Sequence, residues 1–214
     1  MANLNAPSGL SPVMYRNGNF WNGQARLYRI SASLSVANGG MFVGDPVAID
    51  STNFSSTADG IPYVKQITAG AGNAIRGVIV GIGLALPSGY QGGPYINPND
   101  LTKTYRPSGT AATDYLVAVC DDPDVIYEIQ EDTTSTPGQA SAMTKNATPT
   151  LGTPATGVFV SAVTLNSNTY ATGATLQLKV LQPVQRPDNV PFTAYQKLLV
   201  YINNHDYSGG TVGY

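Results

Sequence analysis

The sequence predicts an all-β fold, either a jelly-roll-like sandwich or a small β-barrel, with an extended N-terminal arm and long loops. Charged residues make up only 11% of the 214 residues, against about 25% in an average domain, while Gly and Pro are abundant. Apolar residues alternate at period two in several segments, and no long amphipathic helical pattern occurs. Eight or so strands with long connections suit these architectures, with the strand order left open.

The chain is expected to divide into three parts. Residues 1–28 form the arm, residues 29–205 a single β domain, and residues 206–214 a flexible C-terminal tail. Pro and Gly punctuate the first thirty residues too often for a stable strand or helix. The arm nevertheless holds apolar groups that a solvated tail would not keep, which predicts their burial against the domain itself or against a neighbouring subunit.

The segment from Tyr115 to Asp132, YLVAVCDDPDVIYEIQED, is expected to form the centre of the fold. Alternating apolar residues predict a strand on each side of the Asp-Asp-Pro-Asp turn. Pro123 cannot donate a hydrogen bond to a sheet, so the chain must leave the sheet there and enter one again afterwards. The segment therefore predicts a β-hairpin or a β-arch.

The other strands follow from the same alternation and from the turn residues between them. In the clearest of them, residues 75–86, one face is expected to carry Val78, Val80, Ile82, Leu84 and Leu86. In residues 175–181, Leu176, Leu178 and Val180 are expected to face the core, with Gln177 and Lys179 facing water. The remaining predicted strand segments are 29–49, broken at Gly39 and Gly40, 61–68, 157–163 and 197–203.

Composition argues against several classes of function. The formal charge is −2 without a basic stripe, so no direct contact with nucleic acid is expected. No apolar run approaches the length of a membrane span, and the first residues lack the pattern of a secretory signal. We therefore expect a protein made in the cytoplasm that has no membrane partner.

Candidate catalytic and metal-binding residues are few, and each has a simpler interpretation. Asp121, Asp122 and Asp124 lack the spacing of a calcium loop and are expected to form a solvated turn. Cys120, the only cysteine, is expected to be a small buried hydrophobic residue. His205 is the only histidine, so a metal site made of several histidines is excluded. We predict no catalytic, cofactor-binding or metal site, and no enzyme.

Three blocks of the sequence resemble the head decoration proteins of tailed bacteriophages, which are also called cement or stabilisation proteins. The first block runs from Ala6 to Gly23 and contains the pattern Tyr-x-Asn-Gly-x-x-Trp-Asn-Gly. The second runs from Val119 to Asp132, and the third from Leu181 to His205. The chain departs from the family pattern in polar inserts at residues 50–60 and 133–156, and after the Pro-Asp-Asn of the third block.

The resemblance implies a β protein on the outer surface of an icosahedral head. It implies a virion structural protein that binds the major capsid protein and bridges neighbouring capsid subunits, and that associates with itself as a homotrimer or, alternatively, as a dimer. Low charge and apolar groups in the arm suit a surface that is buried in a permanent assembly. No cofactor is implied.

Aromatic and apolar residues of the arm, and of the uncharged loop 87–98, are the expected interface. They are Leu10, Tyr15, Phe20, Trp21, Leu27, Tyr90 and Tyr95. For Trp21, the only tryptophan, filling this domain's own core is an equally open alternative.

Two other functions stay open. The chain could be a carbohydrate- or receptor-binding β module of a phage fibre, with Tyr90, Tyr95 and Tyr105 stacking on sugar rings. A hydrolase on the shell would depend on His205.

Overall fold

The computed structural model describes residues 2–52, 60–84, 105–111, 114–132, 137–210 and 213. The predicted all-β class is confirmed, and helical structure in these residues is limited to two short 3₁₀ turns. The elements are β1 (Ser11–Tyr15), β2 (Arg26–Ile30), β3 (Val36–Phe42), β4 (Pro46–Ile49), β5 (Val64–Gln66), β6 (Gly77–Leu84), β7 (Tyr105–Gly109), β8 (Tyr115–Cys120), β9 (Val125–Gln130), β10 (Asn146–Ala147), β11 (Pro149–Thr150), β12 (Thr164–Leu165), β13 (Leu178–Pro183) and β14 (Lys197–Ile202), with 3₁₀ turns at Ala140–Ala142 and Ser167–Thr169.

Two five-stranded antiparallel sheets make up the body. Their strand orders are β1-β9-β14-β13-β10 and β2-β8-β6-β4-β5. One apolar cluster lies between them and joins residues such as Val78 and Cys120 of the second sheet to Tyr127 and Leu198 of the first. A second cluster covers the other face of the second sheet, where β3, paired with β7, contributes Met41. The second sheet is therefore apolar on both faces.

The central segment forms a β-arch rather than a hairpin, because β8 and β9 belong to different sheets. Asp122 stabilises the turn between them, since its carboxylate accepts the Asp124 N–H at 2.9 Å and its carbonyl oxygen accepts the Val125 N–H at 3.3 Å. The arch alternative is thus confirmed and the hairpin alternative is wrong. Since each strand pairs on both sides, this segment connects the interiors of the two sheets.

A β-bulge in β6 changes the predicted faces of that strand. The register of β6 against β8 shifts between Ile79 and Gly81. Val78 consequently packs in the cluster between the sheets, while Ile79 and Ile82 pack in the second cluster. The prediction that Val78 and Ile82 share one face is wrong, because the extra residue reverses the alternation. The side chain of Leu84, and all of Leu86, lie outside the described residues.

Gln177 and Lys179 were expected to face water, but both are buried. The Gln177 amide donates to the carbonyl oxygens of Thr68 (3.0 Å) and Asn73 (2.9 Å) and accepts the Gly70 N–H at 2.9 Å. A polar side chain can be buried here because a loop from another part of the chain supplies its hydrogen-bond partners. Leu178 and Val180 lie in the core as predicted, whereas Leu176 precedes the strand and is only half-buried.

The arm and the tail are both part of the folded body. β1 pairs with β9, so the prediction that the arm is too punctuated for a strand is wrong, and the predicted boundary at residue 28 falls within β2. Residues 206–210 fold back on the domain: Asp206 N–H donates to the Ile75 carbonyl oxygen at 3.0 Å, and Gly209 pairs with His205. These contacts differ from the predicted flexible tail.

Candidate functional site

A strip of exposed apolar side chains is the first candidate surface. The apolar strip consists of Val43, Val158, Phe159 and Val160, whose side chains are between 44% and 51% exposed. Residues 157–163 were predicted to be a strand, and that prediction is wrong, since they form no strand. The three consecutive residues form an exposed apolar patch, and the largest apolar patch on a protein is often functional.

Contacts between aromatic rings connect the apolar strip to the rest of the domain. The rings of Phe42 and Tyr105 are stacked with centroids 5.3 Å apart, and the ring of Phe159 also stacks with that of Tyr105, at 4.8 Å. The exposed Phe159 is therefore continuous with the buried Phe42 of β3. Tyr105, which had been considered as a platform for sugar rings, already stacks with two rings of the protein itself.

A buried hydrogen bond fixes the end of the apolar strip. The Ser161 hydroxyl donates to the Asp45 carboxylate at 2.5 Å, and the Phe42 N–H donates to the same carboxylate at 2.9 Å. Burial raises the pKa of Asp45 to about 6, and the two donors oppose that rise. At Gly9 and Gly44 the backbones come too close for any side chain, and Leu10 N–H donates to the Gly44 carbonyl oxygen at 2.9 Å. The segment next to the apolar strip is thus held in place by a buried hydrogen bond and by close backbone contacts.

A polar cleft between the arm and the β8–β9 arch is the second candidate site. We call it the arm cleft; its volume is about 640 Å³. It is lined by Tyr15, Arg16, Asn17, Asn19, Phe20, Asn22, Gln24, Asp122 and Asp124. One wall is the turn after β1, and the other is the acidic turn of the arch.

Backbone hydrogen bonds hold the arm wall of the cleft. Tyr15 N–H donates to the Asn19 carbonyl oxygen at 2.8 Å, and Trp21 N–H donates to the Val13 carbonyl oxygen at 3.0 Å. These bonds turn Trp21 toward the core, where it is half-buried, and leave Phe20 81% exposed. On the opposite wall, Arg16 N–H donates to the Asp124 carbonyl oxygen at 2.7 Å.

The predicted interface residues fall into four groups. Leu10 is buried in the core between the sheets, which removes it from an interface role in this fold. Tyr15 and Phe20 line the arm cleft. Trp21 packs against its own domain's core, the alternative that the sequence left open, and Leu27 is half-buried in β2. Tyr90 and Tyr95 lie outside the described residues.

The residues considered for chemistry lie near one another but are largely buried. Asp121 is buried and accepts the Tyr28 hydroxyl at 2.7 Å, so the expected solvated turn is wrong for this residue. Cys120 is buried, as predicted, and burial raises the pKa of its thiol. His205 is buried too, and its Nδ1 accepts the Tyr207 N–H at 3.0 Å. Burial and the Arg76 charge lower the pKa of His205, which favours the neutral imidazole.

Sequence reasoning missed most of the polar residues of the arm cleft and all of the apolar strip. The signal for the cleft was the run from Asn17 to Gln24, in which amide residues surround two aromatic residues without any charge. The signal for the strip was a Val-Phe-Val triplet that follows a glycine and has no alternating polar partner. Alternation is what distinguishes a half-buried strand from a short apolar run.

Among the residues that the structure describes, no group of three or more acidic, cysteine or histidine side chains could hold a metal ion. The same part of the chain contains no helix long and apolar enough to cross a membrane. No family model matches the sequence, and neither a curated protein nor a solved structure matches it significantly.

Proposed function

We propose that this chain is a virion structural protein, a head decoration or cement protein of a tailed bacteriophage. In this role it binds the major capsid protein on the outer surface of the head and bridges neighbouring capsid subunits. The observation that carries the proposal is the apolar strip, an exposed and uncharged surface suited to contact with another protein.

The location of the three sequence blocks that resemble decoration proteins also supports the proposal. The first block contains β1, the second contains β9, and the third contains β14 and the end of β13. These four strands are consecutive neighbours in one sheet, in the order β1-β9-β14-β13. Blocks that are far apart in the sequence thus form neighbouring strands of one sheet.

The size of the strip indicates how it would act. From the exposed fractions of its four side chains, it offers roughly 300 Å² of apolar surface. Burying that area contributes about 7 kcal/mol before the cost of association, which is of similar size. One strip is therefore too weak to hold a shell together. A homotrimer, or alternatively a dimer, would engage several strips at once and gain affinity from multivalency.

Binding to shells tests the proposal directly. Purified protein is mixed with shells of its cognate major capsid protein and pelleted, and the mass of the free protein is measured in solution. We expect saturable co-sedimentation at a fixed ratio to the shell subunit. Phe159→Asp should abolish it, whereas Phe192→Asp, which changes an exposed phenylalanine outside the strip, should not.

Deleting residues 1–24 is not a clean test of this surface. The deletion removes β1 from its sheet and Leu10 from the core, so the remaining protein is expected to lose stability as well as binding. If wild-type protein does not co-sediment, or if Phe159→Asp binds as well as the wild type, the cement role through this strip is wrong. The fibre-module alternative would then take precedence.

A further inference from the structure

We propose that the arm cleft is a binding site for a neutral saccharide, with the ring of Phe20 as the stacking platform. The proposal goes beyond shell binding and uses a different surface. Leu10, beside the base of the apolar strip, and Arg16, beside the cleft, lie at opposite ends of β1. At strand geometry they are separated by about 20 Å. A molecule bound at one end of β1 leaves the other end accessible.

The first observation is the exposure of Phe20. Its side chain is 81% exposed, although its neighbour Trp21 is half-buried against the core. The exposure is imposed by the backbone. The Trp21 N–H donates to the Val13 carbonyl oxygen, and Phe20 itself forms a β-bridge with Met14, so the chain is held at both residues. A flat apolar ring that is held in solvent suits stacking against the C–H face of a sugar.

The second observation is the unused hydrogen-bonding capacity around that ring. In the described part of the chain, the side chains of Asn19 and Gln24 make no hydrogen bond. Asn17 and Asn22 use only their side-chain oxygens. Asn17 Oδ1 accepts the Asn19 N–H at 3.0 Å, and Asn22 Oδ1 accepts the Gln24 N–H at 3.2 Å and the Tyr15 hydroxyl at 2.9 Å. Their NH₂ groups remain available. Amide groups that both donate and accept match the hydroxyl groups of a sugar, which do the same.

The third observation is the charge of the cleft, which disfavours an anionic ligand. Arg16 pairs with Asp124 at 3.3 Å, and Asp122 adds a further carboxylate that uses one oxygen to accept a backbone N–H. The net charge of the lining is therefore negative, which disfavours anionic ligands such as phosphates or sialylated glycans. The volume of about 640 Å³ falls in the usual range of about 300–1,000 Å³ for ligand sites.

This site differs from the tyrosines that the sequence had suggested for sugar binding. Tyr105 already stacks with both Phe42 and Phe159. Phe20 has no such covering among the described residues, and the amides that surround it belong to the same turn. The combination of a free ring and convergent amides occurs at the arm cleft.

Titration with defined saccharides tests the proposal on the full-length protein without any shell. The probes are three neutral trisaccharides, maltotriose, cellotriose and N,N′,N″-triacetylchitotriose, with 3′-sialyllactose as the anionic probe. Binding is measured by ligand-observed saturation-transfer NMR and by isothermal titration. We expect saturable one-to-one binding of at least one neutral trisaccharide, and weaker binding of sialyllactose.

Matched variants locate the site. Phe20→Ala is expected to weaken binding about threefold to tenfold, the range for loss of one stacking contact. Phe159→Ala removes another exposed phenylalanine and should leave binding unchanged. Asn19→Ala should also weaken binding, and it gives an independent reading if Phe20→Ala affects folding. Thermal unfolding of each variant checks that the fold is kept.

The proposal is overturned if none of the neutral trisaccharides binds saturably, or if sialyllactose binds more tightly than they do. It is also overturned if Phe20→Ala and Asn19→Ala both bind like the wild type, or if Phe159→Ala loses as much affinity as Phe20→Ala. Since no shell is present, these results are independent of the co-sedimentation experiment.

Discussion

Ionisation of Asp45, which fixes the base of the apolar strip, should make the stability of the protein depend on pH. Burial raises the pKa of this carboxyl group from 3.8 to about 6 in the folded protein. Below pH 3.8 the group is neutral in both states. As pH rises toward 6, the unfolded chain loses its proton first, so the folded state loses relative stability. A difference of about two pKa units corresponds to a loss of about 3 kcal/mol.

The substitution Asp45→Asn isolates this effect, because the amide keeps one acceptor for the Phe42 N–H and can donate to the Ser161 hydroxyl. Urea unfolding of both proteins is followed between pH 4 and pH 8. The free energy of unfolding of the wild type, relative to the variant, should fall by about 3 kcal/mol and level off above pH 7.

Ser161→Ala provides a second test. It removes a donor that lowers the pKa of Asp45, so it should enlarge the change with pH. A difference between wild type and Asp45→Asn that stays constant across the pH range would refute the reasoning. So would a difference that changes in the opposite direction.

Two further predictions each use a matched pair of variants and urea unfolding at neutral pH. Gly9→Ala should cost several kcal/mol, because the new Cβ would collide with the backbone opposite, whereas Gly18→Ala, also at positive φ but in open space, should cost about 1 kcal/mol. Glu131→Gln should cost about 1–3 kcal/mol, because the buried carboxylate accepts three donors, including Gln196 at 2.8 Å. Asp188→Asn changes an exposed carboxylate that pairs with Arg186 and Lys197, and it should cost much less than Glu131→Gln. Equal losses within either pair would contradict these explanations.

The local sequence pattern was sufficient to predict a strand where buried residues alternate with polar or half-buried ones. β14 was predicted at residues 197–203 and is found at Lys197–Ile202, with Leu198, Val200 and Ile202 buried. The buried role of Cys120 was also predictable, since it depends on the neighbouring residues of its own strand. Period-two alternation arises within the strand itself and needs no knowledge of distant contacts.

The candidate sites were predictable only in part. Tyr15 and Phe20 were selected from the arm, but the opposite wall of the cleft comes from the arch about one hundred residues later in the chain. The Val-Phe-Val triplet of the apolar strip has the composition of a core strand. The residue that follows the triplet, Ser161, is held by Asp45 and lies close to Gly44, both more than one hundred residues away in the chain.

The sequence by itself determined the β class, the position of most strands and the scarcity of candidate catalytic groups, because composition and alternation act over a few residues. Only the tertiary structure decided that β8 and β9 lie in different sheets, that the arm contributes β1, and which apolar residues stay exposed. Sheet pairing and burial depend on hydrogen bonds and packing between residues far apart in the chain. Local alternation is the same whichever partner a strand finds.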